Sequence, residues 1–311
     1  MDVSERPAIY VGRMNQLAAD WFARRTSTWR DWPDRISGDA TVSVVLPALD
    51  EEPTVGAIVA AIRTIEGIAE VVVVDSGSTD GTAKAAADAG ATVHHRDDIL
   101  PEHGSRPGKG EVLWKALAVT TGDLVVYVDA DLTDFRPHFV TGLLGPLLHD
   151  PTVSLVKAFY DRPLLDVSAA GGGRVTELAA RPLLNAFFPD LAGVVQPLAG
   201  EYAARRELLE GLPFAAGYGV ETGLLIDTVR SRGLDSVAQV DLGQRTHGHQ
   251  DTAALGRMAA TILHTVAARI PGVPAPSGTL TQYTREKGVV VPVETVVDVL
   301  DRPPLRSLRS L

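Results

Sequence analysis

The sequence predicts an α/β fold, a mainly parallel twisted sheet flanked by helices, and three observations predict it. Short apolar runs of strand length recur along residues 41–128, helix-length stretches separate them, and polar motifs stand at the carboxyl ends of the runs. The strand runs are Thr41–Leu46, Glu70–Val74, Ala91–His95 and Leu124–Val128, with helices expected over Pro53–Ile65, Thr79–Ala89 and Lys109–Val119. In sheets of this kind ligands gather beyond the carboxyl ends of the strands.

The flanking elements are less regular. Met14–Arg25 reads as an amphipathic helix whose Leu17, Trp21 and Phe22 dock on the core, a reading favoured over membrane contact, and a connector follows through Trp29 and Trp32. Beyond residue 150 the sequence predicts strands over Val153–Tyr160 and Ser236–Leu242. Helices are expected over Arg174–Phe187, Glu201–Leu209, Val220–Arg230 and Ala253–Ile270. No element is assigned from Pro271 onward, and Leu305–Leu311 is expected to fray.

Composition narrows the function classes. The 311 residues, 45% hydrophobic and 22% charged, suffice for a large buried core. A formal net charge of −10 disfavours nucleic acid as a partner, so any anionic ligand must meet a local basic site. The absence of cysteine excludes disulfides, zinc–thiolate sites and thiol catalysis. No apolar run is long enough to span a bilayer and the first residues are not of signal type, so a cytoplasmic protein without membrane contact is expected.

Four motifs in the first half carry chemistry. Asp129-Ala130-Asp131 ends the run Leu124–Val128, where period-two alternation would turn both carboxylates to one face. Such a pair either sits solvated in a loop or holds a hard divalent cation bridged to phosphate oxygens. Pro47-Ala48-Leu49-Asp50-Glu51-Glu52 follows the first strand without G-x-G-x-x-G, which sets aside a dinucleotide reading of Asp75 and a P-loop enzyme. The turn Asp75-Ser76-Gly77-Ser78-Thr79-Asp80-Gly81-Thr82 caps a helix and also presents a hydroxyl and amides beside Asp129. Lys109, between Gly108 and Gly110, is either a solvated loop lysine or a phosphate or uracil contact.

Together these stretches resemble the nucleotide-sugar half of GT-A glycosyltransferases. Gly171-Gly172-Gly173-Arg174-Val175-Thr176-Glu177-Leu178, Gln196-Pro197-Leu198-Ala199-Gly200-Glu201-Tyr202 and Gly217-Tyr218-Gly219-Val220-Glu221 narrow the likeness, over about residues 41–270, to the glucosyl-3-phosphoglycerate synthase family of actinobacteria, retaining transferases of glycosyltransferase family 81. The resemblance implies a GT-A fold with a C-terminal acceptor-binding lobe. Its domains would be a helical extension (1–40), a nucleotide-sugar-binding half (41–150), an acceptor-binding half (151–270) and a C-terminal extension (271–311).

The resemblance also implies an activity, the Mg²⁺-dependent transfer of glucose from UDP-glucose to D-3-phosphoglycerate, with Mn²⁺ or another divalent cation able to substitute, in a homodimer. The alternative is a mannosyl-3-phosphoglycerate synthase using GDP-mannose, or relaxed use of GDP-sugars. It assigns Pro47, Ala48, Leu49, Glu51, Ser76, Lys109, Asp129, Ala130, Tyr218 and Glu221 to the donor, and Asp131 with His247 to the metal. Glu221 equally suits a plain early-helix carboxylate favoured by the dipole. The acceptor falls to Gly173, Arg174, Val175, Thr176 and His249, the last standing where the family has asparagine. A glycine run entering a helix offers free amides to an anion, and Arg174 with the Thr176 hydroxyl completes the clamp; the plain alternative is a flexible linker. Catalysis is assigned to Asp129, Glu221 and the backbone at Leu198, beside the expected anomeric centre.

Overall fold

The computed structural model describes residues 16–36, 38–161, 173–245, 251–298 and 300–308. Two predicted site residues, His247 and His249, and the glycines Gly171 and Gly172 lie outside the described residues.

The chain opens with α1 (Gln16–Arg25) and β1 (Thr26–Thr28), then β2 (Val42–Ala48), α2 (Glu52–Arg63), β3 (Glu70–Asp75), α3 (Thr82–Asp88), β4 (Thr92–His95), α4 (Lys109–Val119) and β5 (Leu124–Tyr127). It continues with α5 (His138–His149), β6 (Leu155–Asp161), a π-helical turn at Thr176–Ala180, α6 (Arg181–Phe187), β7 (Tyr202–Arg205), α7 (Arg206–Glu210), α8 (Val220–Arg232) and β8 (Val237–Gln244). Last come α9 (Thr252–Ala268), β9 (Thr279–Glu286), β10 (Val289–Val296) and α10 (Leu305–Leu308).

One eight-stranded sheet, ordered β1-β8-β6-β7-β5-β2-β3-β4, runs through the fold. Every pairing in it is parallel except those of β7, which lies antiparallel to both β5 and β6. Successive residues of the central strands alternate between two buried clusters. Val45, Val72, Val74, Val125 and Tyr127 face α4, α8 and α9, whereas Val44, Leu46, Val71, Val73 and Val126 face α2 and α5. Burial on both faces explains why these strands read as unbroken apolar runs. Among the described residues no helix is long and apolar enough to cross a membrane.

Four expectations need correction. The predicted helix Glu201–Leu209 is instead β7 followed by α7. Tyr202-Ala203-Ala204 suits a helix in isolation, but pairing on both edges and the packing of the Tyr202 ring, tilted, against that of Tyr127, centroids 4.9 Å apart, override that propensity. The predicted helix Thr79–Ala89 begins only at Thr82, because the polar residues before it are consumed by the neighbouring loop. The Asp50 amide donates to Ser78 Oγ (2.9 Å), the Thr79 amide to Asp50 Oδ1 (2.7 Å) and the Gly81 amide to Glu52 Oε2 (2.9 Å). In α1 only Trp21 and Ala18 are buried; Leu17 and Phe22 stay partly exposed, so the docking stripe is narrower than expected. Leu305, expected to fray, is buried in α10 against α4.

Helix α5 and the β9–β10 hairpin are among the elements without a sequence prediction. Helix α5 is disguised by Gly142, Gly145 and Pro146, yet the glycines are what admit Trp29 and Trp32 to its surface. The hairpin β9–β10 is exposed on both faces and so lacks an in-out alternation.

Candidate active site

The carboxyl ends of β2, β3 and β5 open into a cavity of about 610 Å³. Pro47 and Ala48 end β2, and the following loop brings Leu49 and Glu51 to the rim. Asp50 takes the left-handed φ of 56° that this tight turn demands. Ser76 follows β3, its amide tied to the Ala48 carbonyl at 2.9 Å. Asp75 itself is buried and accepts from the Ser78 amide at 3.1 Å, so it serves its own turn.

Charge is concentrated on the floor of the cavity. Lys109, at the start of α4, places Nζ 2.5 Å from Asp129 Oδ1 and 2.9 Å from Glu221 Oε1. Burial alone would push Lys109 down, but the two carboxylates outweigh it and hold the ammonium above the usual lysine range. Burial would likewise raise Asp129, and Lys109 with Arg245 overcomes it, keeping the carboxyl ionised well below the usual range. Gly200 is required here, since a Cβ at that position would collide with the Asp129 carboxylate. Gly108, at φ 102°, lets the start of α4 press on Gly217, which a Cβ would approach to 2.7 Å of its Cα.

Arg245 was not singled out in the sequence, and it is the second cation of the floor. Its Nη2 donates to Asp129 Oδ2 at 3.1 Å and to Asp131 Oδ1 at 3.0 Å, while Nη1 donates to the Tyr160 hydroxyl at 2.8 Å. Tyr160 in turn donates to buried Glu201 at 2.7 Å. Burial pushes the Glu201 carboxyl up, and Arg245 opposes it. The position of Arg245, two residues before His247 at a strand end, was a usable signal, because an extended chain would turn both the same way.

The predicted acceptor residues form another wall. Gly173 has φ 83°, and Arg174, Val175 and Thr176 enter the π-helical turn with Thr176 buried. Leu198 and Tyr218 line the same cavity, as does Ala130. Every predicted site residue within the described part of the chain therefore borders one space. Arg96, Val112, Leu255, Met258 and Ile262 border it too without having been read from the sequence.

Beneath the floor lies Lys157 of β6, fully enclosed, donating to the Ala199 carbonyl at 2.6 Å with its ammonium 4.6 Å from the centre of the Tyr202 ring. A lysine amid the apolar residues of that strand was the signal available for it. Burial pushes Lys157 down to about 8 despite Glu221 and Glu201 nearby.

The donor set also bears on a metal. Among the described residues no three Asp, Glu or His side chains gather as a cation site. The half-exposed Asp131 and the Asp129 carboxylate nevertheless offer hard oxygen donors, and they already seat a positive charge, Arg245, between them. Burial and then the Asp131 charge raise Glu51 at the rim. This chemistry fits Mg²⁺ or Mn²⁺.

Comparison with known proteins follows the same lines. Residues 43–169 match the family model of glycosyl transferase family 2. The glucosyl-3-phosphoglycerate synthase of Mycolicibacterium paratuberculosis is 47% identical over 304 residues, covering 93% of this chain and 92% of that protein. The chain belongs to the glucosyl-3-phosphoglycerate synthase family. It is a glycosyltransferase with a GT-A fold. The family member from Mycolicibacterium smegmatis is 51% identical over 275 residues, 86% of this chain and 90% of that one. The glucosyl-3-phosphoglycerate synthase of Mycobacterium tuberculosis, solved with Mn²⁺, UDP and glucosyl-3-phosphoglycerate, superposes with a TM-score of 0.79 at 44% identity, covering 98% of each chain. Mannosyl-3-phosphoglycerate synthase from Rubrobacter xylanophilus superposes with a TM-score of 0.86 at 40% identity, covering 94% of this chain and 98% of that one.

The buried lysine gives a signed pH dependence. Between about pH 8 and the ~10.4 of an unfolded lysine, the unfolded chain holds a proton that native Lys157 has released, so stability rises with pH through that window. Unfolding free energies measured from pH 7.5 to 10.5, a range of about three units around that window, should climb more steeply for the unaltered protein than for Lys157→Met. Parallel curves would show that Lys157 keeps an ordinary affinity for its proton.

Proposed function

We propose that this glycosyltransferase moves glucose from UDP-glucose to D-3-phosphoglycerate with retention at the anomeric carbon. The observation that supports the reading is that one cavity is lined together by Lys109, Asp129 and Glu221, by the residues read as donor-binding, and by Gly173–Thr176, read as the acceptor clamp. In this reading residues 41–150 supply most donor contacts, Tyr218 and Glu221 join them from the later half, and Gly173–Thr176 with His249 receive the acceptor.

Asp131, with Asp129 beside it and His247 as the expected further ligand, would hold Mg²⁺ or Mn²⁺. The ion, when bound, offsets the charge of the leaving diphosphate. Lys109 stays cationic, and in this reading it meets the β-phosphate oxygen that gains charge as its bond to the sugar breaks. Asp129 and Glu221 fix the ammonium and offer acceptors to sugar hydroxyls. Arg174 and Thr176 orient the acceptor so that its hydroxyl attacks on the face the diphosphate leaves. The carbonyl at Leu198 supports positive charge developing on the sugar. This front-face route needs positioning and electrostatics and no protein nucleophile.

The second reading, mannosyl transfer from GDP-mannose to the same acceptor, is favoured by the superposition on the Rubrobacter xylanophilus enzyme. A homodimer is the assembly we assign, supported by Tyr283, Val289, Val290 and Val296 standing exposed on the β9–β10 hairpin. Light scattering should give the mass of two chains, and a single-chain mass would contradict it.

Product formation from UDP-glucose, GDP-glucose and GDP-mannose, each with 3-phosphoglycerate and Mg²⁺, should be fastest with UDP-glucose. A GDP-mannose preference selects the second reading, and no turnover with any donor contradicts both. Arg174→Ala should raise the acceptor KM about 10–100-fold, the worth of a lost charge-assisted contact, with the donor KM little changed. Asp131→Ala should abolish metal-dependent turnover. Unchanged acceptor kinetics in Arg174→Ala would remove the clamp from the account.

A further inference from the structure

Residues 300–305 add no strand to the large sheet, yet their contacts converge on the walls around Lys109. Arg302 pairs both guanidinium edges with Glu111, Nε to Oε2 at 2.6 Å and Nη2 to Oε1 at 2.7 Å. Its Nη1 donates to the His103 carbonyl at 2.9 Å and Nη2 to that of Gly104 at 3.4 Å, and the group lies 5.0 Å over the Trp114 ring. Its backbone amide and carbonyl pair with those of Phe214 at 2.7 and 3.0 Å. Neighbouring bonds secure the same segment. Trp114 Nε1 donates to the Pro303 carbonyl and Arg106 Nη1 to that of Leu300, each at 2.8 Å, and Leu305 is buried.

The three segments that Arg302 holds each lead into the cavity. His103 and Gly104 begin the loop that reaches Pro107 and Gly108; Glu111 lies two residues beyond Lys109 on α4; Phe214 precedes the turn that carries Tyr218. These three segments meet without slack. A Cβ on Gly110 would collide with the Ala215 carbonyl, and the contact of Gly108 with Gly217 tolerates no side chain either. A movement of one wall therefore displaces the others. A buried ion pair is by itself a weak source of stability, because apolar residues of similar volume often serve as well. What an apolar residue cannot reproduce is the planar fork that grips a carboxylate while donating to two carbonyls of another segment.

We propose that Arg302 is a positioning residue of the donor site, which through Glu111, the 103–108 loop and Phe214 sets Lys109 and Tyr218 where a nucleoside diphosphate meets them. The proposal rests on the reading of Lys109 and Tyr218 as donor-binding groups.

The test uses the full chain as Arg302→Met, Arg302→Lys and Trp114→Phe, the last keeping the ring and losing one bond to the segment. UDP affinity with Mn²⁺ is measured by calorimetry, the two KM values by steady-state kinetics, and melting temperature separately. Arg302→Met should raise the UDP Kd and the donor KM about tenfold, as misplacement by a fraction of an ångström does, and leave the acceptor KM within about twofold. Arg302→Lys, which keeps the charge without the fork, should fall between, and Trp114→Phe should move the donor KM the same way by about two- to threefold. Donor KM and UDP Kd within about twofold of the unaltered protein in Arg302→Met would overturn the proposal, however far the melting temperature falls. If that variant does not fold, the same result in the other two overturns it. An unaltered protein that neither binds UDP nor turns over would overturn the donor reading, and this proposal with it.

Discussion

The structure depends on how it neutralises the carboxylates gathered at the end of β5. Asp129, Asp131, Glu201 and Glu221 meet around two strongly held cations, Lys109 and Arg245, with Lys157 close by. Each charge arrives from a different part of the fold: Lys109 from the start of α4, Glu221 from the first turn of α8, Glu201 from the residue before β7, Arg245 from the end of β8. Burying such groups is costly unless each finds its partner, and removing one leaves another uncompensated. The network thus demands that the two halves of the sheet be joined, and β7, the one reversed strand, joins them by pairing with β5 and β6.

That arrangement also gives the site its function-ready character. Asp129 and Lys109 hold each other in their charged forms, with Arg245 and Glu221 beside them. In the proposed function, a diphosphate entering the cavity would meet an ammonium already fixed in place, so that little reorganisation would be required during transfer. Below this layer, Lys157 ties the Ala199 carbonyl and so fixes the Leu198–Gly200 turn from behind. Above it, the wall of α4 is fastened by the C-terminal segment through Glu111.

Much of this was legible in the sequence wherever the information was local. The parallel strands were evident as apolar runs, and α4 was read with its observed limits, Lys109–Val119. Asp129 and Lys109 stood out because a strand end and a pair of glycines marked them. The pairings that could not be read were mostly long-range. Arg245 finds Asp129 and Asp131 across 116 and 114 residues, and Arg302 finds Glu111 across 191, separations at which no spacing rule operates. Strand β7 was hidden because Ala203 and Ala204 favour a helix locally, and α5 because Gly142 and Gly145 serve packing against tryptophans rather than chain reversal. The β9–β10 hairpin lacks a buried face to impose period two.

In the proposed function Lys109, held between Asp129 and Glu221, stabilises the departing diphosphate. The most direct measurement is the turnover of Lys109→Met with UDP-glucose, 3-phosphoglycerate and Mg²⁺, beside its melting temperature. The variant should fold, with kcat down about 10²–10³-fold, the range expected when a preorganised charge-stabilising donor is lost. A folded variant that keeps the kcat of the unaltered protein would contradict it.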